Sequence, residues 1–190
     1  MEAIKRILSL AALLSIVLVA NAQNTLKNCY RGFVDAGYSI GIGDYEFGRF
    51  ELNTTHGYQV NPYFFFGAGL GLHFMSEYET AGMDIALDYR ESKVDIPVSA
   101  NIRCNFSKGK VTPFIDVKGG YNFIGYMKGL YLAPSIGCRF GLTRRVGLNV
   151  GIGYTLQQTN TKYYEWDPLD KLENKTINFH GLSFKFGFDF

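Results

Sequence analysis

The ten residues GLSFKFGFDF, at positions 181–190, decide how this chain is read. Every second one is large and apolar: Leu182, Phe184, Phe186, Phe188 and Phe190. Between them stand Ser183, Lys185, Gly187 and Asp189. Successive side chains of a β-strand point to opposite faces, so this stretch is a ribbon with one greasy side and one small or charged side.

Working outward, the same period recurs along the chain. Alternation predicts strands over about 30–42, 46–60, 63–75, 93–106, 111–123, 130–141 and 146–158, with an eighth beginning near Ile177. Val94, Ile96, Val98, Ala100 and Ile102, for example, oppose Asp95, Ser99, Asn101 and Arg103. No long segment keeps a helical period. The composition agrees, with 22 glycines, 16% aromatic residues and only 5 prolines. Apart from a tight first loop at Gly43-Asp44, the connections alternate in length. Short turns are expected at 61–62, 107–110 and 143–145, and longer loops at 76–92, 124–129 and 159–176. An even number of roughly ten-residue strands, with short turns at one end and long loops at the other, fits an all-β, eight-stranded antiparallel up-and-down transmembrane barrel.

A soluble barrel alternates too, so the question is which face points inward. An eight-stranded barrel has an interior only wide enough for modest side chains. The large face does not fit there, whereas a face of glycines, serines and charges does. The outward apolar band is then too extensive for water but suits a bilayer. Charge gives the same answer. Arg31, Arg49, Arg103, Lys118, Arg139 and Lys185 share the small face with Asp35, Glu51, Asp95, Asp116 and Asp189. In the opposite register, each basic group near the bilayer midplane would cost ~2–4 kcal/mol. Three of them would cost about 6–12 kcal/mol, comparable to a whole domain's stability of ~5–15 kcal/mol. The expected lumen is therefore a charge network of nearly balanced sign, paired and shut rather than open. In lipid every backbone polar group needs an internal partner, so the last strand must pair with the first.

The N-terminus reads separately. Lys5 and Arg6 precede a fourteen-residue run from Ile7 to Ala20, broken only by Ser9 and Ser15, and Ala20-Asn21-Ala22 follows. The run is shorter than a spanning helix, and its flanks are those of a cleaved secretory signal over 1–22. The barrel domain is then 23–190. Removing Glu2, Lys5 and Arg6 lowers the formal net charge from +2 to +1. There is no basic excess for nucleic acid. Cys29, Cys104 and Cys138 are an odd count, and three free thiols are expected.

With these features in place, the chain resembles the small eight-stranded outer-membrane barrels of Gram-negative bacteria, the OmpA/OmpX-like type. The resemblance rests on the signal, the strand rhythm, the stretch GYQVNPYFFFGAGLGL at 57–72 and the terminal GLSFKFGFDF. It implies outer-membrane location, membrane lipid as surroundings, both termini on the periplasmic side and long loops outside the cell. It also implies that Phe186, Phe188 and Phe190 form the signal read by the barrel-assembly machinery. It fixes no specific activity, since relatives serve as anchors, adhesion-linked proteins or weak pores.

Other motifs read modestly. Gly67-x-Gly69-x-Gly71 and Gly151-x-Gly153 lie within strands, not at the strand-to-helix junction a phosphate loop requires, so they relieve crowding in the lumen. His56, His73 and His180 form no metal pattern, and no cofactor is implied. Some eight-stranded barrels hydrolyse lipid A with a His, Ser and acid on one face. Here the odd spacings His73 to Ser76 and His180 to Ser183 put each pair on opposite faces. In loop 159–176, Tyr163, Tyr164 and Trp166 stand among carboxylates, a composition able to grip an extracellular protein or glycan. A solvated loop with aromatics at the membrane interface is the plainer reading. The functional expectation is a structural or interaction scaffold without enzymatic activity. A small porin-like channel and a lipid A-modifying enzyme are the alternatives, and a soluble secreted barrel is the one the charge pattern opposes.

Overall fold

A computed structural model of the chain describes residues 29–43, 48–76, 94–125, 127–143, 145–164 and 172–190. They form eight strands: β1 Cys29–Ile42, β2 Gly48–Gln59, β3 Phe64–Met75, β4 Val94–Asn105, β5 Val111–Ile124, β6 Gly129–Gly141, β7 Gly147–Tyr164 and β8 Leu172–Asp189. Each pairs antiparallel with its sequence neighbour, and β8 closes on β1 from Phe33↔Asp189 to Ile42↔His180. Over the height that all eight strands share, closure removes the open edge, as a chain spanning lipid requires. The expected signal segment lies outside the described residues.

The strand count, direction and closure match the alternation read from the sequence. The last hairpin differs. β7 and β8 continue past the other strands, with pairing as far as Tyr164↔Leu172, so most of the loop expected at 159–176 is strand. Tyr163 and Tyr164 are therefore strand residues, and Trp166 lies outside the described residues. The segment TNTKYY, at 159–164, is rich in threonine and tyrosine, which favour strands, but it has no apolar alternation to reveal it.

The two faces separate cleanly. Leu70, Ile136, Ile152 and Phe184 are each more than half exposed on the outer surface, at 54%, 56%, 55% and 57%. Arg49, Glu51, Lys118 and Asp189 are buried in the lumen. One strand interruption has a local cause. Pro97 lacks the N–H a ladder needs, and the β4–β5 register shifts between Ile96 and Pro97.

The lumen is less purely polar than its sequence description. Phe33, Phe65, Phe114, Tyr131, Met127 and Phe179 are buried there beside the charges. Glycines make the room. A Cβ on Gly67 would lie 2.6 Å from the Phe65 ring, and one on Gly137 would lie 2.6 Å from the Phe114 ring. Gly137 is the direct cross-strand partner of Phe114. Gly67 and Gly137 are thus the seats of inward aromatic rings, a device that also stiffens glycine-rich sheet.

Candidate functional site

The candidate site is the lumen, built from inward residues of all eight strands. At the end where the short turns lie, Asp189 is the hub. Its carboxylate accepts from Arg31 Nη2 at 2.5 Å, from Arg139 Nε at 2.8 Å and Nη2 at 2.9 Å, and from Asn149 Nδ2 at 2.9 Å. Asn149 passes the connection on, accepting from Arg103 Nη2 at 2.5 Å, across the lumen from β4 to β7. Arg103 also donates to Asn105 Oδ1 at 3.2 Å. Its guanidinium carbon lies 3.5 Å from the Phe114 ring centroid and 4.9 Å from that of Phe33. A planar cation held between aromatic faces keeps an electrostatic partner without a carboxylate.

At mid-height, Lys118 Nζ reaches across the barrel to Asp35 Oδ2 at 2.7 Å, tying β5 to β1. Asp116 accepts from Asn101 Nδ2 at 2.5 Å. Lys185 departs from the expected pairing. Its Nζ is enclosed and has no hydrogen-bond partner among the described residues. It borders a cavity of about 20 Å³ shared with Asp35, Arg103, Asp116 and Asn149, room for about one water molecule.

At the loop end, Glu51 is the hub. It accepts from Arg49 Nε at 2.9 Å, from Ser39 Oγ at 2.6 Å and from Tyr131 Oη at 3.4 Å across the lumen, and Arg49 Nη2 stands 2.7 Å from the carboxylate as an ion pair. His73 Nε2 is 3.9 Å from Oε2, the oxygen that Tyr131 also reaches. Above this hub the connection between β5 and β6 turns inward. Met127 is 1% exposed. Its N–H donates to Asp95 Oδ1 at 3.1 Å, and its carbonyl accepts from Asn122 Nδ2 at 2.8 Å and Gln157 Nε2 at 3.0 Å. Gly125 and Gly129, at φ of +121° and +154°, permit the inward fold. Sequence reading placed 124–129 among the long outer loops and missed this cap. The signal was present in a lone apolar Met127 between the two glycines.

Every lumen residue singled out from the sequence thus lies on the inward face, but the expected pairing is uneven. Arg31, Arg49, Arg139 and Lys118 meet carboxylates, whereas Arg103 is held by amides and rings. Ser39, Glu51 and His73 converge, a set that sequence spacing did not reveal. Their order is wrong for a hydrolase, because the carboxylate sits between hydroxyl and imidazole. A nucleophile needs the imidazole beside it.

Outside, Phe186 and Phe188 are exposed, with their rings perpendicular at 5.5 Å. Phe190 completes the closing seam. Its N–H and C=O bond reciprocally with Gly32 at 3.0 and 2.9 Å, and its ring lies over that glycine. His56 and His180 each share a hydrogen bond with a tyrosine on a neighbouring strand, Tyr30 and Tyr154. Cys29, Cys104 and Cys138 are unpaired.

No family model matches the sequence, and no curated protein matches it. Solved structures do match the fold. Neisserial surface protein A superposes with a TM-score of 0.55 at 13% identity, covering 84% of this chain and 95% of that one. The outer membrane protein AlkL, determined in DMPC bilayers, gives 0.55 at 11% identity, covering 90% of this chain and 92% of that one. The outer membrane protein OprG of Pseudomonas aeruginosa gives 0.52 at 10% identity, covering 90% and 99%. At such identities the likeness speaks for fold alone. The architecture of this chain is that of the small eight-stranded outer-membrane β-barrels.

Proposed function

We propose that the chain is an integral outer-membrane scaffold, exported by its N-terminal signal and inserted by the barrel-assembly machinery through its C-terminal strand. Its lumen is closed, and its loops are offered outward to an extracellular protein or glycan. The observation that carries the closed lumen is the set of bonds between opposite walls: Lys118 to Asp35, Arg103 to Asn149 and Tyr131 to Glu51, beneath the inward Met127. A continuous aqueous path would require several of these to part together. The exposed apolar belt supports membrane residence, because water does not tolerate such a surface on a monomer.

The enzymatic alternative finds no support in the Ser39, Glu51 and His73 arrangement, which is enclosed and wrongly ordered for acyl transfer. The porin-like alternative predicts something different from the scaffold, and one experiment separates them. In planar bilayers the refolded barrel is expected to give no stable single-channel openings. Reproducible openings would overturn the closed-lumen reading in favour of a pore.

A further inference from the structure

The outer surface is not uniform. On β5, β6 and β7 it sinks into a trough of about 730 Å³, rimmed toward the turns by Phe106 and Phe140. The floor is formed by the small outward side chains of Pro113 and Cys138 and by the strand backbone at Gly137 and Gly151. A second concavity of about 380 Å³ shares Ile115, Ile136 and Ile152 with the first and continues past Pro134 and Gly153 to Leu182 and Phe184. The three isoleucines form one rung, Ile115↔Ile136↔Ile152, so the two depressions join into a single apolar groove running along the barrel wall.

What lies at the foot of this groove is charged. The turns that bracket it, 107–110 and 142–146, contain Lys108, Lys110, Arg144 and Arg145 and no acidic side chain. Lys110 and Arg145 are exposed. Lys110 is fixed beside the end of β6 by the Gly141 N–H bond to its carbonyl at 2.7 Å. Lys108 is turned away, with Nζ 5.1 Å from the Tyr63 ring. A groove shaped for a hydrocarbon chain, with cations where the chain's headgroup would emerge, is complementary to an amphiphile of negative charge. A second copy of this chain fits less well, since parallel packing would set Lys110 and Arg145 against their own kind.

We propose that this groove and its basic turns bind one anionic phospholipid of the surrounding leaflet. The acyl chain lies along Ile115, Ile136 and Ile152, and the phosphate sits at Lys110 and Arg145. The inference rests on the membrane placement above, and the test keeps the two apart. The barrel is refolded in micelles containing equal phosphatidylglycerol and phosphatidylcholine, and the retained lipid is read by native mass spectrometry. Gel mobility of unboiled against boiled sample first establishes a folded barrel, and a chain that needs no amphiphile to fold and stay soluble contradicts the membrane placement instead.

The wild type is expected to retain phosphatidylglycerol preferentially. Lys110→Ala with Arg145→Ala lowers that preference by roughly fivefold for each cation removed. Lys108→Ala, whose side chain points elsewhere, leaves it unchanged. Cys138→Phe fills the floor while keeping the cations, and reduces retention of phosphatidylglycerol. Equal retention of the two lipids, or a preference that survives removal of both cations, overturns the proposal. So does competition by inorganic phosphate alone, which needs no chain, or a dimer seated on the groove.

Discussion

The two ends of the lumen solve the same problem differently. The turn end gathers three guanidiniums, Arg31, Arg103 and Arg139, around one carboxylate, Asp189, and makes up the difference with Asn149 and the Phe114 and Phe33 rings. The loop end sets one guanidinium, Arg49, against Glu51 and fills the remaining acceptor capacity with Ser39 and Tyr131, then covers the group with Met127. The first arrangement concentrates charge on a single acceptor. The second shares it among neutral donors. The comparison teaches that a buried charge cluster is only as robust as its least replaceable member, because removing one partner leaves the others buried and uncompensated.

The largest effect therefore belongs to Asp189. Asp189→Asn leaves Arg31 and Arg139 without a carboxylate, and unfolding in urea is expected to show a loss of about 3–5 kcal/mol. Glu51→Gln should cost less, about 2–3 kcal/mol in the same titration, because it deprives one guanidinium of its carboxylate rather than two and its other donors, Ser39 and Tyr131, are neutral. Equal losses at the two sites would break the contrast between a concentrated and a shared cluster. Met127→Ala removes the cover but no charge. A loss of about 2 kcal/mol is expected from lost burial, together with faster deuterium exchange of the backbone amide at position 127 than in the wild type. The smallest change sharpens the comparison from between the two ends. Lys185→Met replaces an enclosed ammonium that has no hydrogen-bond partner among the described residues, and is expected to be neutral or stabilising by about 1 kcal/mol.

How much of this was legible in the sequence varies by feature. The strands, their order and their inward faces followed from period-two alternation, because a one-residue slip would have placed Arg49 and Lys118 in lipid. The continuation of the last hairpin was not legible. Residues 159–164 have strand propensity but no apolar face, and alternation detects only strands that divide two environments. The lumen rings were visible as Phe33, Phe65 and Phe114 on the small face, yet the seats of Phe65 and Phe114 depended on Gly57 and Gly137 lying on adjacent strands. Pairing within the lumen was the least legible part. Lys118 meets Asp35 from the opposite wall, 83 residues away, and nothing local marks that choice. The inward fold at Met127 likewise depends on Asp95, Asn122 and Gln157, drawn from three strands.

The central claim is that the apolar face looks at lipid and the ionic face looks inward. Trp166 is the only native tryptophan, so it is first replaced by phenylalanine. A single tryptophan is then placed at Ile152, on the outer face, or at Ser99, in the lumen, and the barrel is refolded in bilayers whose acyl chains carry bromine near the midplane. Strong quenching at position 152 and little at position 99 is the predicted result. The reverse pattern, with the lumen position quenched and the outer position spared, would contradict it.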